Sequence, residues 1–255
     1  MTYERELELA RETAAKAGEL ALRHSTRGVT AETKADESPV TIADRECERL
    51  IADSIRARFP DDGLLGEEGS NGESRNGRKW IIDPIDGTRD FLRRIPAWAV
   101  LIGLEVDGEV VAGVCHMPAA KDSYWAMRGG GAWRNGELIR VSTVGSQSEA
   151  MICVTGINTI MKLPYGSRLA GFAAGFWAVR SLGGCLDAML VASGRADAWI
   201  EPTAEPWDLA ALKVILDEAG ARFFNFDGGA SIYGGNCIAC TPGLEPLMRS
   251  FAAKG

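Results

Sequence analysis

Apolar residues near the start of the chain recur with the period of an α-helix. Leu7 and four alanines share one face, which predicts an amphipathic helix over about 4–23. A second helix is predicted from Thr41 to the Phe59-Pro60 pair, with Cys47 and three aliphatic residues on its inner stripe. Asp44 falls on that stripe, whereas Glu48 is expected on the water-facing side.

Short apolar runs and tight turns follow, as is typical of β-strands. A buried strand is predicted to stop at Asp83-Pro84, because proline has no N–H to donate to a strand ladder. Further on, the turn residues and a hairpin at Asn135-Gly136 predict a series of antiparallel strands. These strands are expected at 99–106, 110–116 and 123–128.

The pattern changes at Met151, after which helices and strands alternate. Helices are predicted at 185–193, 207–219 and 244–251, and strands at 198–200, 221–226 and 237–241. No stretch is long and polar enough to serve as a linker between independent domains. We therefore expect a mixed α/β chain of two halves, residues 1–145 and 146–255, packed as one compact unit.

Composition narrows the function classes. The 255 residues are 46% hydrophobic and carry a net charge of −7 without a basic stripe, so small molecules are expected as partners and nucleic acids are not. No run of eighteen apolar residues occurs and the first residues are charged, which predicts no membrane contact and a cytoplasmic protein. Six scattered cysteines suit reduced core thiols, and two histidines without spaced partners make a histidine metal site or a Ser-His-Asp triad improbable.

The stretch from Trp80 to Phe91 contains the densest candidate chemistry. Asp83 and Asp86 emerge at the end of a strand, and Gly87 permits a sharp turn that exposes the amides of Gly87 and Thr88. Carboxylates beside amide donors can hold Mg²⁺ together with a phosphate group. A plain solvated turn is the alternative. A calcium hand is excluded, because Ile82 and Pro84 would occupy ligand positions.

Acids elsewhere in the chain are candidates for the same site. The inward position of Asp44 would suit such a role, although an aspartate complementing the helix dipole is the alternative. Of the adjacent acids after Leu65, Glu67 is predicted to point toward Asp83, since neighbouring side chains on a strand point apart. Glu201 at a strand end and Asp208 in the next helix's first turn lie where ligands collect in α/β proteins.

Three separated motifs resemble the signature of the inositol monophosphatase family, a group of Mg²⁺-dependent phosphate monoester hydrolases. They are Gly66-Glu67-Glu68, Asp83-Pro84-Ile85-Asp86-Gly87-Thr88 and Trp207-Asp208. The resemblance covers nearly the whole chain. It implies a layered αβαβα fold with a mixed or largely antiparallel N-terminal sheet and a smaller second sheet, a homodimer, and inhibition by Li⁺.

The resemblance also implies a role for each matching residue. The implied metal ligands are Glu67, Asp83, Asp86, Asp208 and the Ile85 carbonyl. The implied catalytic residues are Asp44 and Thr88, which would position the attacking water, and Glu67. The Gly87 and Thr88 amides would bind phosphate, and the implied substrate contacts are Asp86, Gly183, Glu201 and Asp208. Two or three Mg²⁺ ions can activate water and neutralise the phosphoryl group, so no protein nucleophile is needed.

The substrate expected from the resemblance is a small phosphate ester. The segments around Trp98, Trp125 and Trp207 are similar to the family's histidinol-phosphatase branch, and Glu201 could form a charge-assisted hydrogen bond to an ammonium. Gly184 departs from that branch, which commonly has aspartate there. Histidinol phosphate is the leading expectation and inositol phosphate the alternative. A catalytically silent regulator that binds metal and phosphate is the alternative from another functional class.

Overall fold

The computed structural model describes residues 2–28, 30–33 and 39–253. The helices are α1 (Glu4–Arg27), α2 (Ile42–Arg58), α3 (Thr88–Arg93), α4 (Ile157–Ile160), α5 (Gly166–Ala173), α6 (Gly184–Ala192), α7 (Pro206–Ala219) and α8 (Glu245–Ala253). The strands of the N-terminal half are β1 (Glu32–Thr33), β2 (Pro39–Val40), β3 (Gly63–Gly66), β4 (Asn71–Gly72), β5 (Arg78–Asp86), β6 (Ala99–Val106), β7 (Glu109–Met117), β8 (Asp122–Met127), β9 (Ala132–Arg134) and β10 (Glu137–Ile139). The strands of the C-terminal half are β11 (Met151–Val154), β12 (Ala178–Arg180), β13 (Ala198–Glu201), β14 (Arg222–Phe224) and β15 (Cys237–Cys240).

Two mixed sheets form the centre of the fold. The larger has the order β10-β9-β8-β7-β6-β5-β3-β4 and is antiparallel except where β3 runs parallel to β5. The smaller has the order β12-β11-β13-β15-β14, parallel from β12 to β13 and antiparallel beyond. The expected pair of sheets, one mixed and the other smaller, is confirmed.

The alternation of side chains along the strands separates the core into three layers. Ile82 packs toward α1 and α2, while its neighbour Ile81 packs into a central core with α6 and α7. In the second sheet, Trp199 faces the same central core, and Ile200 faces the outer core near α8. A strand has two faces, so adjacent residues serve different layers. The order of layers is helix, sheet, helix, sheet, helix, as expected for the αβαβα fold.

Two glycines of the larger sheet allow α7 to approach closely. A Cβ atom at Gly103 would lie 2.8 Å from Ala210 Cβ, and one at Gly113 would lie 2.7 Å from Val214 Cγ1. Side chains at these positions would push the helix outward. Because α7 carries Asp208 in its first turn, this packing sets the depth at which that carboxylate reaches the site.

Two of the local predictions are wrong. Pro84 does not end the strand, because β5 continues to Asp86 across a register shift between Asp83 and Asp86. Such a bulge accommodates proline, which has no N–H for the ladder. Glu48 does not face water; it is buried, with 2% of its surface exposed.

Candidate active site

The predicted site residues gather in one cleft of about 660 Å³ between the two sheets. Its lining includes Glu67, Asp83, Ile85, Asp86, Gly87, Thr88, Gly183, Glu201 and Asp208. Asp44 lies behind this lining, with its Oδ1 3.4 Å from Thr88 Oγ1. Residues separated by more than a hundred positions in the sequence are thus brought to one place.

Three carboxylates form the centre of the cleft. Oxygen atoms of Asp83, Asp86 and Asp208 lie within 4.8 Å of one another. Asp83 and Asp86 flank the bulge at the end of β5, and Asp208 comes from the first turn of α7. Glu67 follows β3 and lies close enough to Asp83 for a side-chain hydrogen bond. A group of hard oxygen ligands at this spacing fits a divalent cation such as Mg²⁺.

Backbone amides fix the orientation of these acids. The N–H of Ile85 donates to Asp83 Oδ1 at 2.9 Å, and the N–H of Cys185 donates to Asp86 Oδ2 at 3.2 Å. Each carboxylate therefore has one oxygen held by the protein backbone. Because these carboxylates are already oriented, binding of a charged ligand requires little reorganisation of the site.

The two acids that lie on helices, Asp44 and Asp208, are also oriented by backbone amides at the helix starts. Asp44 and Asp208 each occupy the third position of a helix and close a capping box with the residue before that helix. The N–H of Thr41 donates to Asp44 Oδ2 at 2.8 Å, and that of Glu205 donates to Asp208 Oδ2 at 2.7 Å. The capping geometry that starts each helix thus also aims its acid at the cleft.

Loss of hydration and mutual crowding raise the pKa values of these acids. Burial raises the pKa of Asp86 to about 6, and the charge of Glu67 adds to the effect. Burial together with the charge of Asp86 raises the pKa of Asp208 to about 8. The pKa of Asp83 lies well above its ordinary value, through burial and then repulsion by Glu67. Carboxylates this close are stabilised either by protonation or by a neutralising cation, so the site suits the metal that the sequence predicts.

Thr88 opens α3 beside these acids. Gly87 precedes it with a φ of +86°, and a Cβ atom there would lie 3.2 Å from the Ala97 carbonyl oxygen, which explains the glycine. The Thr88 hydroxyl lies 3.2 Å from the Ile85 carbonyl oxygen and 3.4 Å from Asp44 Oδ1. A single hydroxyl hydrogen can be given to either acceptor, and donation to Asp44 leaves the hydroxyl oxygen free to accept from a water.

Glu201 and two glycines form another wall of the cleft. Glu201 is 8% exposed, and burial, followed by the charge of Asp208, raises its pKa well above the ordinary value. A Cβ atom at Gly184 would lie 3.2 Å from Glu201 Oε2, so the glycine leaves the carboxylate accessible. Gly183, with a φ of +124°, shapes the adjoining turn.

Sequence reasoning missed several residues of the site. Cys185 contributes its amide to Asp86, and Thr155 lines the cleft while accepting a hydrogen bond from Trp199 Nε1 at 2.9 Å. No local pattern marks these two positions. Glu48, which lies outside the cleft, was also missed although a signal existed, since it follows Asp44 by four residues and therefore shares its helix face.

Comparison with known proteins identifies the relatives of the chain. The sequence profile described as the inositol monophosphatase family matches residues 2–253. A histidinol-phosphatase of Chlorobaculum parvum is 42% identical over 231 residues, which are 90% of this chain and 89% of that protein. A histidinol-phosphatase of Mycobacterium tuberculosis is 38% identical, covering 96% of this chain and 97% of the relative.

A solved structure agrees with this relationship. The extragenic suppressor protein SuhB of Bartonella henselae superposes with a TM-score of 0.88 at 29% identity, covering 98% of this chain and 99% of that one. The fold, the three sequence motifs and the match over almost the full length all point the same way. The chain belongs to the inositol monophosphatase family, and like its histidinol-phosphatase relatives it is a phosphatase.

Proposed function

We propose that this phosphatase hydrolyses a small amino-alcohol phosphate with Mg²⁺ as its cofactor, and that histidinol phosphate is its leading substrate. The observation that supports the proposal most directly is the convergence of Asp83, Asp86 and Asp208, with atoms within 4.8 Å, beside an accessible Glu201. The three aspartates suit a metal cation that binds the phosphate, and Glu201 suits a cationic group on the same ester.

The proposed metal ligands are Glu67, Asp83, the Ile85 carbonyl, Asp86 and Asp208. When bound, two or three Mg²⁺ ions would neutralise charge on the phosphoryl oxygens and lower the pKa of water in the cleft. The backbone N–H groups that each hold one oxygen of Asp83, Asp86 and Asp208 restrict the rotation of these carboxylates, which would present them to the ions. The amides of Gly87 and Thr88 are proposed to contact the phosphate.

Thr88 and Asp44 are proposed to direct the water that attacks phosphorus. The Thr88 hydroxyl would donate to Asp44 Oδ1, 3.4 Å away, and accept a hydrogen bond from the water. Burial raises the pKa of Asp44, which brings its carboxylate nearer to the range of a useful base. The attacking water gives up a proton as its oxygen bonds to phosphorus, the bond from phosphorus to the alcohol oxygen breaks, and that oxygen takes up a proton, which leaves an alcohol and inorganic phosphate.

The environment of Glu201 favours a cationic substrate. Burial and neighbouring acids oppose ionisation of this side chain, so its carboxylate form gains most from a cation placed beside it. An ammonium group supplies that charge, and a neutral hydroxyl does not. The open face left by Gly184 gives such a group access to Glu201, although Gly184 itself stands where the histidinol-phosphatase branch commonly has aspartate.

A phosphate-release panel tests the proposal. It would compare histidinol phosphate, inositol phosphates, sugar bisphosphates and adenosine bisphosphate, each with Mg²⁺ and after chelation. The proposal expects Mg²⁺-dependent turnover that is fastest with histidinol phosphate, and inhibition by Li⁺. Activity that survives thorough chelation would refute the metal assignment. A clear preference for inositol phosphate would refute the substrate, and binding without turnover of any ester would favour a silent regulator.

The expected homodimer and cytoplasmic location belong to the same proposal. Trp177, Val179 and Leu182, on and beside the edge strand β12, are 69%, 40% and 43% exposed, which a second copy could cover. All six cysteines are unbonded and buried, as suits a reducing compartment. Within the described ranges, no helix has the length and apolar character needed to cross a membrane. Light scattering on the purified protein would measure its mass in solution.

A further inference from the structure

Glu48 is a buried acid outside the cleft. It lies on α2, one helical turn after Asp44, and only 2% of it is exposed. A carboxylate is stable in such a place only when hydrogen bonds replace its hydration. Both of its oxygens are satisfied by backbone amides: Oε2 accepts from the N–H of Glu68 and Oε1 from the N–H of Ser70, each at 2.7 Å.

These two amides belong to the turn that carries Glu67. The turn closes on itself through the N–H of Gly66, which donates to the Ser70 carbonyl at 3.0 Å. It is tied to the sheet through the N–H of Glu67, which donates to the Ile82 carbonyl at 3.1 Å. The backbone of Glu67 is therefore held by β5 on one side and, through residues 68 and 70, by the Glu48 carboxylate on the other.

Gly66 makes this arrangement possible. A Cβ atom at that position would lie 2.6 Å from the carboxyl carbon of Glu48, closer than real contacts allow. The carboxylate thus sits directly against the turn backbone, where a larger residue would displace it. Since α2 also carries Asp44, a single helix face holds one residue beside Thr88 and another beneath the Glu67 turn.

We infer that Glu48 is a positioning residue for the metal centre, which fixes the direction of Glu67 by binding the amides of Glu68 and Ser70. The inference rests on the proposed role of Glu67 as a metal ligand. Both acceptor oxygens matter, because a glutamine would present an NH₂ group toward one of the two N–H donors and lose one of the two hydrogen bonds. Outer groups that orient metal ligands typically change metal affinity or activity by about 10- to 100-fold when altered.

The test measures metal binding without relying on catalysis. Mn²⁺, as a paramagnetic probe of the Mg²⁺ site, would be titrated by electron paramagnetic resonance into the wild type, Glu48→Gln and Glu46→Gln. Glu46 lies on the same helix and pairs with His24 at 2.8 Å, away from the turn, so its variant is the control. We expect Mn²⁺ affinity to fall by about 10-fold or more in Glu48→Gln and to stay unchanged in Glu46→Gln.

Kinetics separates positioning from a general loss of structure. In Glu48→Gln, the Mg²⁺ concentration for half-maximal activity should rise by about 10-fold or more, while kcat at saturating Mg²⁺ stays within about threefold. Wild-type Mn²⁺ affinity in a folded Glu48→Gln would overturn the inference. So would a lower melting temperature with no change in metal affinity, which would assign Glu48 a structural role only.

A second variant guards against failure of the first to fold. Gly66→Ala approaches the same contact from the turn, and it should weaken Mn²⁺ binding in the same way, because the added methyl group displaces the carboxylate. Unchanged affinity in Gly66→Ala would also overturn the inference. If the wild type itself failed to bind Mn²⁺, the proposed function would fail, which is a different outcome from any of these.

Discussion

Replacing Asp86 by asparagine should stabilise the metal-free protein while removing its activity. Asp86 is half-buried beside Glu67, Asp83 and Asp208, and without a cation its negative charge opposes folding. Asparagine keeps the shape and can still accept the hydrogen bond from the Cys185 amide, but it carries no charge. The change in stability therefore measures the cost of bringing the acids together, and the change in activity measures their role in catalysis.

The size of the stability gain follows from the pKa of Asp86. Asp86 has a pKa of about 6 in the fold and an ordinary value of 3.8, a difference that corresponds to about 3 kcal/mol. Because the folded protein holds the proton more tightly than the unfolded chain, stability is lost as the pH rises from 3.8 to about 6. The free energy of unfolding of the variant should thus exceed that of the wild type by up to about 3 kcal/mol at pH 7.5, but by only about 1 kcal/mol at pH 4.5.

Urea unfolding in a chelator, at both pH values, measures the difference. The gain at pH 7.5 corresponds to a rise in melting temperature of about 6–12 °C for a chain of this size. Asp53→Asn, on an exposed side chain that pairs with Arg56, is the control and should change little. Mg²⁺ at about 100 times its dissociation constant should stabilise the wild type by about 2.7 kcal/mol and the variant by much less.

Phosphate release completes the comparison. Turnover by Asp86→Asn should fall by orders of magnitude, because the site loses a charge that is proposed to hold the cations. A variant no more stable than the wild type at pH 7.5, or equally favoured at both pH values, would refute the electrostatic reasoning. Near-normal turnover in a well-folded variant would refute the assignment of Asp86 as a metal ligand.

Three other substitutions test separate parts of the site. Thr88→Ala should reduce kcat severely while leaving Mn²⁺ affinity nearly intact, since the residue is proposed to orient water; a collapse of metal affinity would show a misassigned role. Glu201→Gln should raise KM more for histidinol phosphate than for inositol phosphate, and equal effects on both would contradict recognition of an ammonium. Gly113→Ala should lower stability by about 1–3 kcal/mol, because its methyl group would lie 2.7 Å from Val214 on α7. It should also weaken Mn²⁺ binding through displacement of Asp208, and an unfolding midpoint equal to that of the wild type would argue against close packing.

Helical and strand periodicity were sufficient to predict most of the helices and strands and the position of some site residues. The inward position of Asp44 followed from its place on the apolar stripe of α2, and it is fully buried. The prediction that Asp83 and Asp86 emerge near a strand end also agrees with the structure. Such features depend on neighbours within a few positions in the chain, and a sequence displays those directly.

Other features were decided by packing between distant segments. Pro84 has a local preference to end a strand, yet pairing with β6 extends β5 across a bulge. The burial of Glu48 depends on a turn twenty residues away whose amides replace its hydration. Tertiary contacts override local preference in both places, because the free energy of burial and backbone hydrogen bonding exceeds that of local propensity.

The sequence by itself determined the family, through the three motifs, and it predicted which residues carry the chemistry. Only the tertiary structure decided how close their oxygens lie and which backbone amides orient them. Asp208 reaches Asp83 because Gly103 and Gly113 let α7 lie against the larger sheet. The resulting repulsion, with a pKa of about 8 at Asp208, exists only after the layers pack, since it depends on distance and burial and not on order along the chain.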